Sequence, residues 1–331
     1  HNWGTWHGRK PFESFDSSIP RFMSEYGFQA FPEMKTIRTF AEEKDFELES
    51  PVMNAHQKAT IGNALIKQTM GLYYKVPARF EDMVYVGLVL QGHGMRHGME
   101  AHRRNRTYCM GSLFWQLNDS WPVVSWSAID YYGNWKALMY QSKRAFAPIL
   151  INAIREDNDL CVYLISDELH DRDDVSMTVE LMDFDGKTHG KWTCNGRLTA
   201  GSSQLFMKKS AGEWLGKQDA ASSLLHFTLK AKNGTTLADN VYYFAYPKDQ
   251  KLPEAHIETS LRRRGDSVEM TLKTDKLARD IFIEVPVQGV RFTDNFFDLL
   301  PGQRKKIVIT STEGHSLNDL TFRLHQLGGV R

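Results

Sequence analysis

At Pro148 the hydrophobic rhythm of this 331-residue chain changes, and no other feature restricts its fold as much. Beyond that point Met177, Val179 and Leu181 alternate with Thr178, Glu180 and Met182. Leu225, Phe227 and Leu229 alternate in the same way with His226, Thr228 and Lys230. A two-residue period is that of a strand with one buried face. Asp185-Gly186 and Asn233-Gly234 lie between such runs as hairpin turns. Tyr246 to Pro253, mostly polar with two prolines, reads as a linker. After it the strand period resumes in Val268, Met270 and Leu272, and again in Leu320, Phe322 and Leu324.

Seven or so short strands over roughly 100 residues suit an immunoglobulin-like sandwich, although the Cys–Trp–Cys core of antibody domains is missing. The chain therefore reads as one sandwich over 148–247 and a second, smaller one over 248–331. Before Pro148 the texture is different. Phe80, Met83, Val84, Gly87 and Leu88 follow the helical period, and His102-Arg103-Arg104-Asn105-Arg106 suits a C-terminus, so a helix is expected from Phe80 to Arg106. Ile61–Tyr73 and Asn134–Phe146 read as further helices. Met23–Gly27 and Met110–Leu117 are the strand candidates. Alternating strands and helices imply a parallel sheet, so the expected class is α/β followed by all-β.

Lys and Arg number 41 against 40 Asp and Glu, a net charge of +1, which offers no electrostatic reason to expect nucleic acid or an anionic membrane as partner. The longest apolar runs are too short to span a bilayer. Cys109, Cys161 and Cys194 are odd in number, far apart and without metal spacing, and read as small buried hydrophobes. His93 and His97 have helical spacing but lack a third ligand and the usual neighbouring Glu, so no metal and no cofactor is expected. Arg262-Arg263-Arg264 beside Gly265 and Asp266 reads as a solvated turn.

The chemistry is concentrated near the start. In Arg21–Pro32, a mostly apolar run punctuated by Pro20, Gly27 and Pro32, a single carboxylate, Glu25, sits at the expected end of a buried strand. Such a group is kept because it is paired or because it reacts. From the residues alone both remain open: an ion pair with Arg21 or another cation, or a catalytic carboxylate. Six of the eight tryptophans (Trp3, Trp6, Trp115, Trp121, Trp126 and Trp135) lie in the first 135 residues, among turns rich in Asn, Asp, Gly and Pro. Singly each reads as core. Clustered, they suit a sugar pocket, with aromatic faces for C–H surfaces and polar groups for hydroxyls.

Three stretches together carry a resemblance. Ser24-Glu25-Tyr26-Gly27-Phe28-Gln29-Ala30-Phe31-Pro32 resembles the nucleophile segment of retaining β-mannosidases of glycoside hydrolase family 2. Trp3-Gly4-Thr5-Trp6-His7-Gly8 resembles the family's Trp-x-x-Trp-His-Gly loop. Gly111-Ser112-Leu113-Phe114-Trp115-Gln116-Leu117-Asn118-Asp119-Ser120-Trp121-Pro122, continuing to Trp126–Tyr131, resembles the end of its catalytic barrel. The resemblance is dense over residues 1–150 and rests on domain order alone beyond them.

It implies that residues 1–147 are the C-terminal part of a (β/α)8 TIM barrel, with Glu25 ending the seventh strand and Asn118 the eighth. It implies an exo-acting retaining β-mannosidase with Glu25 as nucleophile. Trp115 becomes the floor for the sugar, Trp3, Trp6 and His7 another wall, and Asn118 and Asp119 hydroxyl-binding groups, these last two equally readable as turn caps. The acid/base Glu belongs to an Asn-Glu pair on the fourth strand, which has no counterpart here. Glu33, Glu81 and Glu100 do not match it and read as solvated charges. A β-mannoside oligosaccharide and an upstream N-terminal segment of the same protein are thus the expected partners. The alternatives are a related family 2 exo-β-glycosidase acting on glucosaminides or galactosides, and a non-catalytic carbohydrate-binding fragment. The compartment stays open, with the periplasm or secretion favoured over the cytoplasm for a bacterial source.

Overall fold

The computed structural model describes residues 1–314 and 316–330. The first part is helical: α1 (Ser14–Ser17), α2 (Met34–Ile37), α3 (Pro51–Ala55), α4 (Gly62–Tyr73), α5 (Phe80–Arg104) and α6 (Ala137–Ala145). The three longer helices lie where the 3.6-residue period expects them, with slightly tighter ends. Helix α5 starts after an extended Arg79, carries Glu81 and Asp82 in its first turn and His102, Arg103 and Arg104 in its last, each sign complementing the helix dipole. Leu65, Ile66 and Met70 of α4 are buried, and Ile66 and Met70 close over Gly87 of α5.

The expected strands Met23–Gly27 and Met110–Leu117 are not regular strands. The two segments run parallel and touch at one bridge, Met23↔Ser112. Hydrogen bonds Met23 N–H to Gly111 O (2.8 Å), Leu113 N–H to Met23 O (2.8 Å) and Trp115 N–H to Tyr26 O (2.8 Å) join them. A pair with so few ladder bonds is extended without becoming sheet. Phe22, Met110, Leu113 and Leu117 are each more than half exposed beside this pair.

The first sandwich consists of two antiparallel sheets. One has the order β1 (Ile149–Glu156), β2 (Asp159–Ser166), β5 (Ser203–Ser210). The other has the order β4 (Thr188–Leu198), β3 (Arg172–Asp183), β6 (Ser223–Lys230), β7 (Thr236–Tyr243). The alternating residues Met177, Val179, Leu181, Leu225, Phe227 and Leu229 face its core together with Trp214 of α7 (Ala211–Leu215). Gly186 (φ +94°) and Gly234 (φ +83°) turn the expected hairpins, in a region of φ that favours glycine.

The second sandwich has the sheets β8 (Ile257–Arg264), β9 (Ser267–Thr274), β13 (Arg304–Ser311), β11 (Val290–Phe292), in the spatial order β11-β13-β9-β8, and β10 (Ala278–Glu284), β12 (Phe297–Leu299), β14 (Arg323–His325), in the order β12-β10-β14. Three expectations change here. The last strand is only Arg323–His325, because Leu320 is buried in a preceding turn whose carbonyl accepts from Arg263. Arg262–Arg264 end strand β8 rather than forming the turn, though they are exposed as expected. The Tyr246–Pro253 linker is tied down: Tyr246 Oη donates to Glu13 (2.7 Å), and buried Gln250 accepts from Arg279 (2.7 Å).

The two sandwiches meet the helical part differently. The first docks through charge on the C-terminal half of α5. Arg103 donates to Ala147 O and Asp167, Arg104 to Asn152, and Arg96 to Asn240, while Asn152 donates to Glu100. The second docks through aromatic rings, Tyr85 on Phe282 and Tyr140 on Phe296 among them, as well as through polar bonds such as His93 to Asp280 and Arg144 to Asp294, and its apolar core is one continuous cluster with that of the helical part. Among the described residues no helix is long and apolar enough to cross a membrane. Cys109 and Cys161 are buried, Cys194 is half-buried, and all three are free.

Candidate active site

Over residues 23–32 the segment carrying Glu25 is buried except at Ser24 and Glu25, which are half-buried. Met23 and Tyr26 are buried on the helix side, whereas the Glu25 side chain is 30 % exposed. Its backbone is held on both flanks, the Glu25 carbonyl accepting from Asn2 N–H (2.7 Å) and the Tyr26 carbonyl from Trp115 N–H (2.8 Å). Gly27 is required by close approach: a Cβ there would run into the Trp115 carbonyl and crowd the Trp3 and Trp126 rings.

Two groups reach the carboxylate, both on Oε2. The Trp3 indole N–H donates at 3.3 Å, and His1 Nδ1 lies 2.5 Å away. No hydrogen bond falls on Oε1 among the described residues. Arg21 and His7 go elsewhere. Arg21 lies over the Tyr108 ring at 5.0 Å, and His7 packs on Trp3 with ring centroids 5.7 Å apart. His1 escaped the sequence reading because nothing in its spacing to Glu25 marks it, although it precedes the Trp3 loop directly.

Trp115 is 43 % exposed, at the end of the partner segment, and its peptide bond to Gln116 is cis. The Trp3 ring is half-buried and leans edge-on against Trp126, centroids 6.1 Å apart. His7 and Asn118 are exposed. Trp3, His7 and Glu25 thus share one face, and the exposed Trp115 follows on the adjoining parallel segment, its N–H bound to the Tyr26 carbonyl.

Trp6 and Asp119 do not present themselves as expected. Trp6 is 1 % exposed, wedged edge-on between Phe28 (5.2 Å) and Trp126 (5.6 Å), so it props the loop from below. Asp119 has both carboxylate oxygens engaged internally, one by Lys58 Nζ (2.7 Å) and the other by Ser125 Oγ (2.6 Å). Trp126 and Trp135 pack beneath the surface against Trp3, Trp6 and Tyr140. The other carboxylates are not all solvated either. Glu33 is buried beside Lys35 (3.1 Å), with burial pushing its pKa up, and Glu100 is buried between Arg96 (2.6 Å) and Asn152 (2.7 Å). The helical histidine pair is consumed by carboxylates on opposite sides, His93 by Asp280 (2.6 Å) and His97 by Asp16 (2.8 Å).

Behind this face lies a buried ammonium. Lys136 is fully enclosed and donates to Ala30 O (3.0 Å) and Ser125 O (3.4 Å), joining the run after Glu25 to the loop after Trp115. Burial pulls its pKa down to about 8, partly offset by the nearby Asp119 and Asp130.

Residues 158–249 match the family model described as a mannosidase Ig/CBM-like domain, and residues 252–326 match that of the mannosidase Ig-fold domain. The chain is 29 % identical to the β-mannosidase of Capra hircus over 296 residues, 84 % of this chain and 34 % of that protein. It is 36 % identical to β-mannosidase B of Aspergillus terreus over 167 residues, 49 % of this chain and 20 % of that protein. Among solved structures, β-D-mannosidase from Dictyoglomus thermophilum superposes with a TM-score of 0.87 at 29 % identity, over 98 % of this chain and 40 % of that one. The exo-chitosanase CsxA of Amycolatopsis orientalis shares the fold, with a TM-score of 0.79 at 18 % identity over 97 % of this chain and 44 % of its own. The chain spans about a third of the length of the curated relatives it matches.

Proposed function

We propose, from the premise that this chain is homologous to the C-terminal region of β-mannosidases over most of its length, that it carries half of a retaining exo-β-mannosidase active site. In this reading residues 1–147 are the last part of a (β/α)8 barrel, residues 148–247 and 248–331 its two appended sandwiches, and the exposed apolar row at Phe22, Met110, Leu113 and Leu117 the edge where the earlier strands pair. The observation that carries the proposal is the Glu25 carboxylate, oriented by the Trp3 N–H, with the exposed Trp115 held by its backbone against the following residue, Tyr26.

Glu25 attacks the anomeric carbon of a terminal β-mannoside and forms a glycosyl-enzyme as the bond to the aglycone oxygen breaks, that oxygen leaving with a proton from a second carboxyl group. Water then releases the sugar with retained configuration. The second carboxyl group, needed about 5 Å from the first, comes from a segment outside these 331 residues. Trp115 is the floor for the sugar, Trp3 and His7 a side wall, and Asn118 a hydroxyl-binding group. Trp6 and Asp119 hold these residues in place from beneath.

The test is Glu25→Ala in the complete enzyme. Turnover of an aryl β-mannoside should fall by several orders of magnitude, about the scale lost with a covalent nucleophile, and azide should partly restore it. Retention of more than about a tenth of the activity overturns the assignment. Trp115→Ala should weaken binding by about 1–3 kcal/mol, the value of one aromatic platform. A substrate panel that includes aryl glucosaminides and galactosides decides the sugar.

A further inference from the structure

Backbone bonds alone do not secure the register of the two parallel segments. Four amides join them: Met110 N–H to Arg21 O, Met23 N–H to Gly111 O, Leu113 N–H to Met23 O and Trp115 N–H to Tyr26 O. A slide by two residues would offer the same donors and acceptors, so the choice falls to side chains. One side-chain contact distinguishes the observed register. The Tyr26 hydroxyl lies 2.7 Å from Ser112 Oγ, and Ser112 is the residue at which the segments bridge. A two-residue slip would put Met110 or Phe114 in place of Ser112, and neither has a hydroxyl.

The same Ser112 Oγ lies 2.9 Å from His102 Nδ1 in the last turn of α5. The three groups form a chain from one segment, through the other, to the longest helix of the molecule. Ser112 is half-buried, and the two rings it joins lie in a close-packed layer. Tyr26 is fully buried and His102 is 1 % exposed, their rings meeting edge to face at 4.9 Å, and Phe15 closes on Tyr26 at 5.5 Å. Burial, helped by the positive charge of Arg104, lowers the His102 pKa to about 4, so the imidazole is neutral near pH 7. A neutral ring can accept from the serine hydroxyl or donate to it, and the hydroxyl serves both neighbours at once. Among the described residues His102 Nε2 has no hydrogen-bond partner. A polar chain in such a layer is expensive compared with Ala, Phe and Leu at these positions, and what it supplies is a single arrangement.

We propose that Ser112, Tyr26 and His102 are positioning residues whose relay sets the height of Glu25 against Trp115. Tyr26 directly follows Glu25, and Ser112 lies three residues before Trp115. None of the three needs to touch substrate. A displacement on the order of 1 Å between nucleophile and sugar platform can cost about 10²-fold in rate. The proposal rests on the reading of Glu25 as nucleophile, and the experiment below separates the two.

In the complete enzyme, Ser112→Ala and Tyr26→Phe should each lower kcat on an aryl β-mannoside by about 10- to 100-fold with KM nearly unchanged. The double variant should be no worse than the poorer single one, because the two remove one device, and Ser112→Thr should recover most of the rate. Losses that multiply, or a fall in thermal stability with kcat intact, overturn the relay. A second readout needs no substrate: the imidazole nitrogen shifts of His102 in 15N-histidine-labelled 331-residue chain. They should move on Ser112→Ala and again on Tyr26→Phe, and immobility in both overturns the relay. If the complete wild-type enzyme is inactive on every glycoside offered, the nucleophile assignment fails, and the histidine shifts alone then judge the relay.

Discussion

The two sandwiches have similar architectures but different debts to the rest of the molecule. The first closes its own core around Trp214 and Phe227 and touches the helical part through arginines. The second has no separate core: Phe282, Phe296 and Ile283 belong to the same apolar cluster as Tyr85, Leu88 and Met95 of α5. Polar docking leaves a domain able to stand alone, since each detached group can return to water. A dock that also shares an apolar core does not, because separation exposes rings on both sides whatever its polar bonds do. The architecture of a domain therefore does not predict its independence; the chemistry of its outer face does.

The sharpest way to break this comparison is to separate the pieces. Residues 148–247 expressed alone should unfold cooperatively, whereas residues 248–331 alone should lack a cooperative transition and bind a hydrophobic dye. Circular dichroism melts and dye fluorescence decide, and a well-folded second fragment would end the distinction. Next come single truncations within each core. Phe296→Ala and Phe227→Ala should each cost about 3–5 kcal/mol. In calorimetry of the whole chain, Phe296→Ala should lower the transition that the helical part shares with the second sandwich, and Phe227→Ala only that of the first.

A third test uses pH. The Lys136 pKa is about 8 in the folded protein, against the ordinary lysine value of 10.5. Between those values the unfolded chain holds more protons, so stability rises with pH through the window, by up to about 3 kcal/mol. Lys136→Met should flatten that rise in the transition containing the helical part and leave the first sandwich's transition unchanged. Urea melts at pH 8 and 10 measure it. The smallest effect belongs to the polar dock. Arg103→Met leaves the Ala147 carbonyl without its donor at a cost of about 1–3 kcal/mol, and should loosen the first sandwich without unfolding it. Faster hydrogen exchange confined to the contact between α5 and β1 would show this.

What could be read in the sequence was local. Period-2 runs such as Met177–Leu181 and period-3.6 runs such as Phe80–Leu88 each report their own burial pattern, and both elements formed where expected. The shared core left only one local trace, the consecutive Ile281-Phe282-Ile283 in a strand buried on both faces, which differs from the alternation of a one-sided strand. At the candidate site, Glu25 and Trp115 stood out through composition and motif. That Trp6 would lie beneath the surface while Trp3 reached the carboxylate could not be read, because neighbouring tryptophans in one loop are equivalent until the loop is packed. The engagement of Asp119 by Lys58 was equally hidden, since 61 residues separate them.

The continuous core of the helical part and the second sandwich also has a schedule. Between the end of α6 at Ala145 and the start of β10 at Ala278, about 130 residues must be synthesised, roughly 7 to 26 s at ordinary elongation rates. Throughout that interval the ribosome displays a helical layer whose aromatic face has no cover, while the first sandwich can already finish folding beside it. The nascent chain is then most vulnerable to aggregation and most attractive to chaperones, and protease-sensitive sites in α5 should vanish only once β10 and β12 have emerged. Limited proteolysis of ribosome-stalled chains ending before and after Leu299 would time that closure.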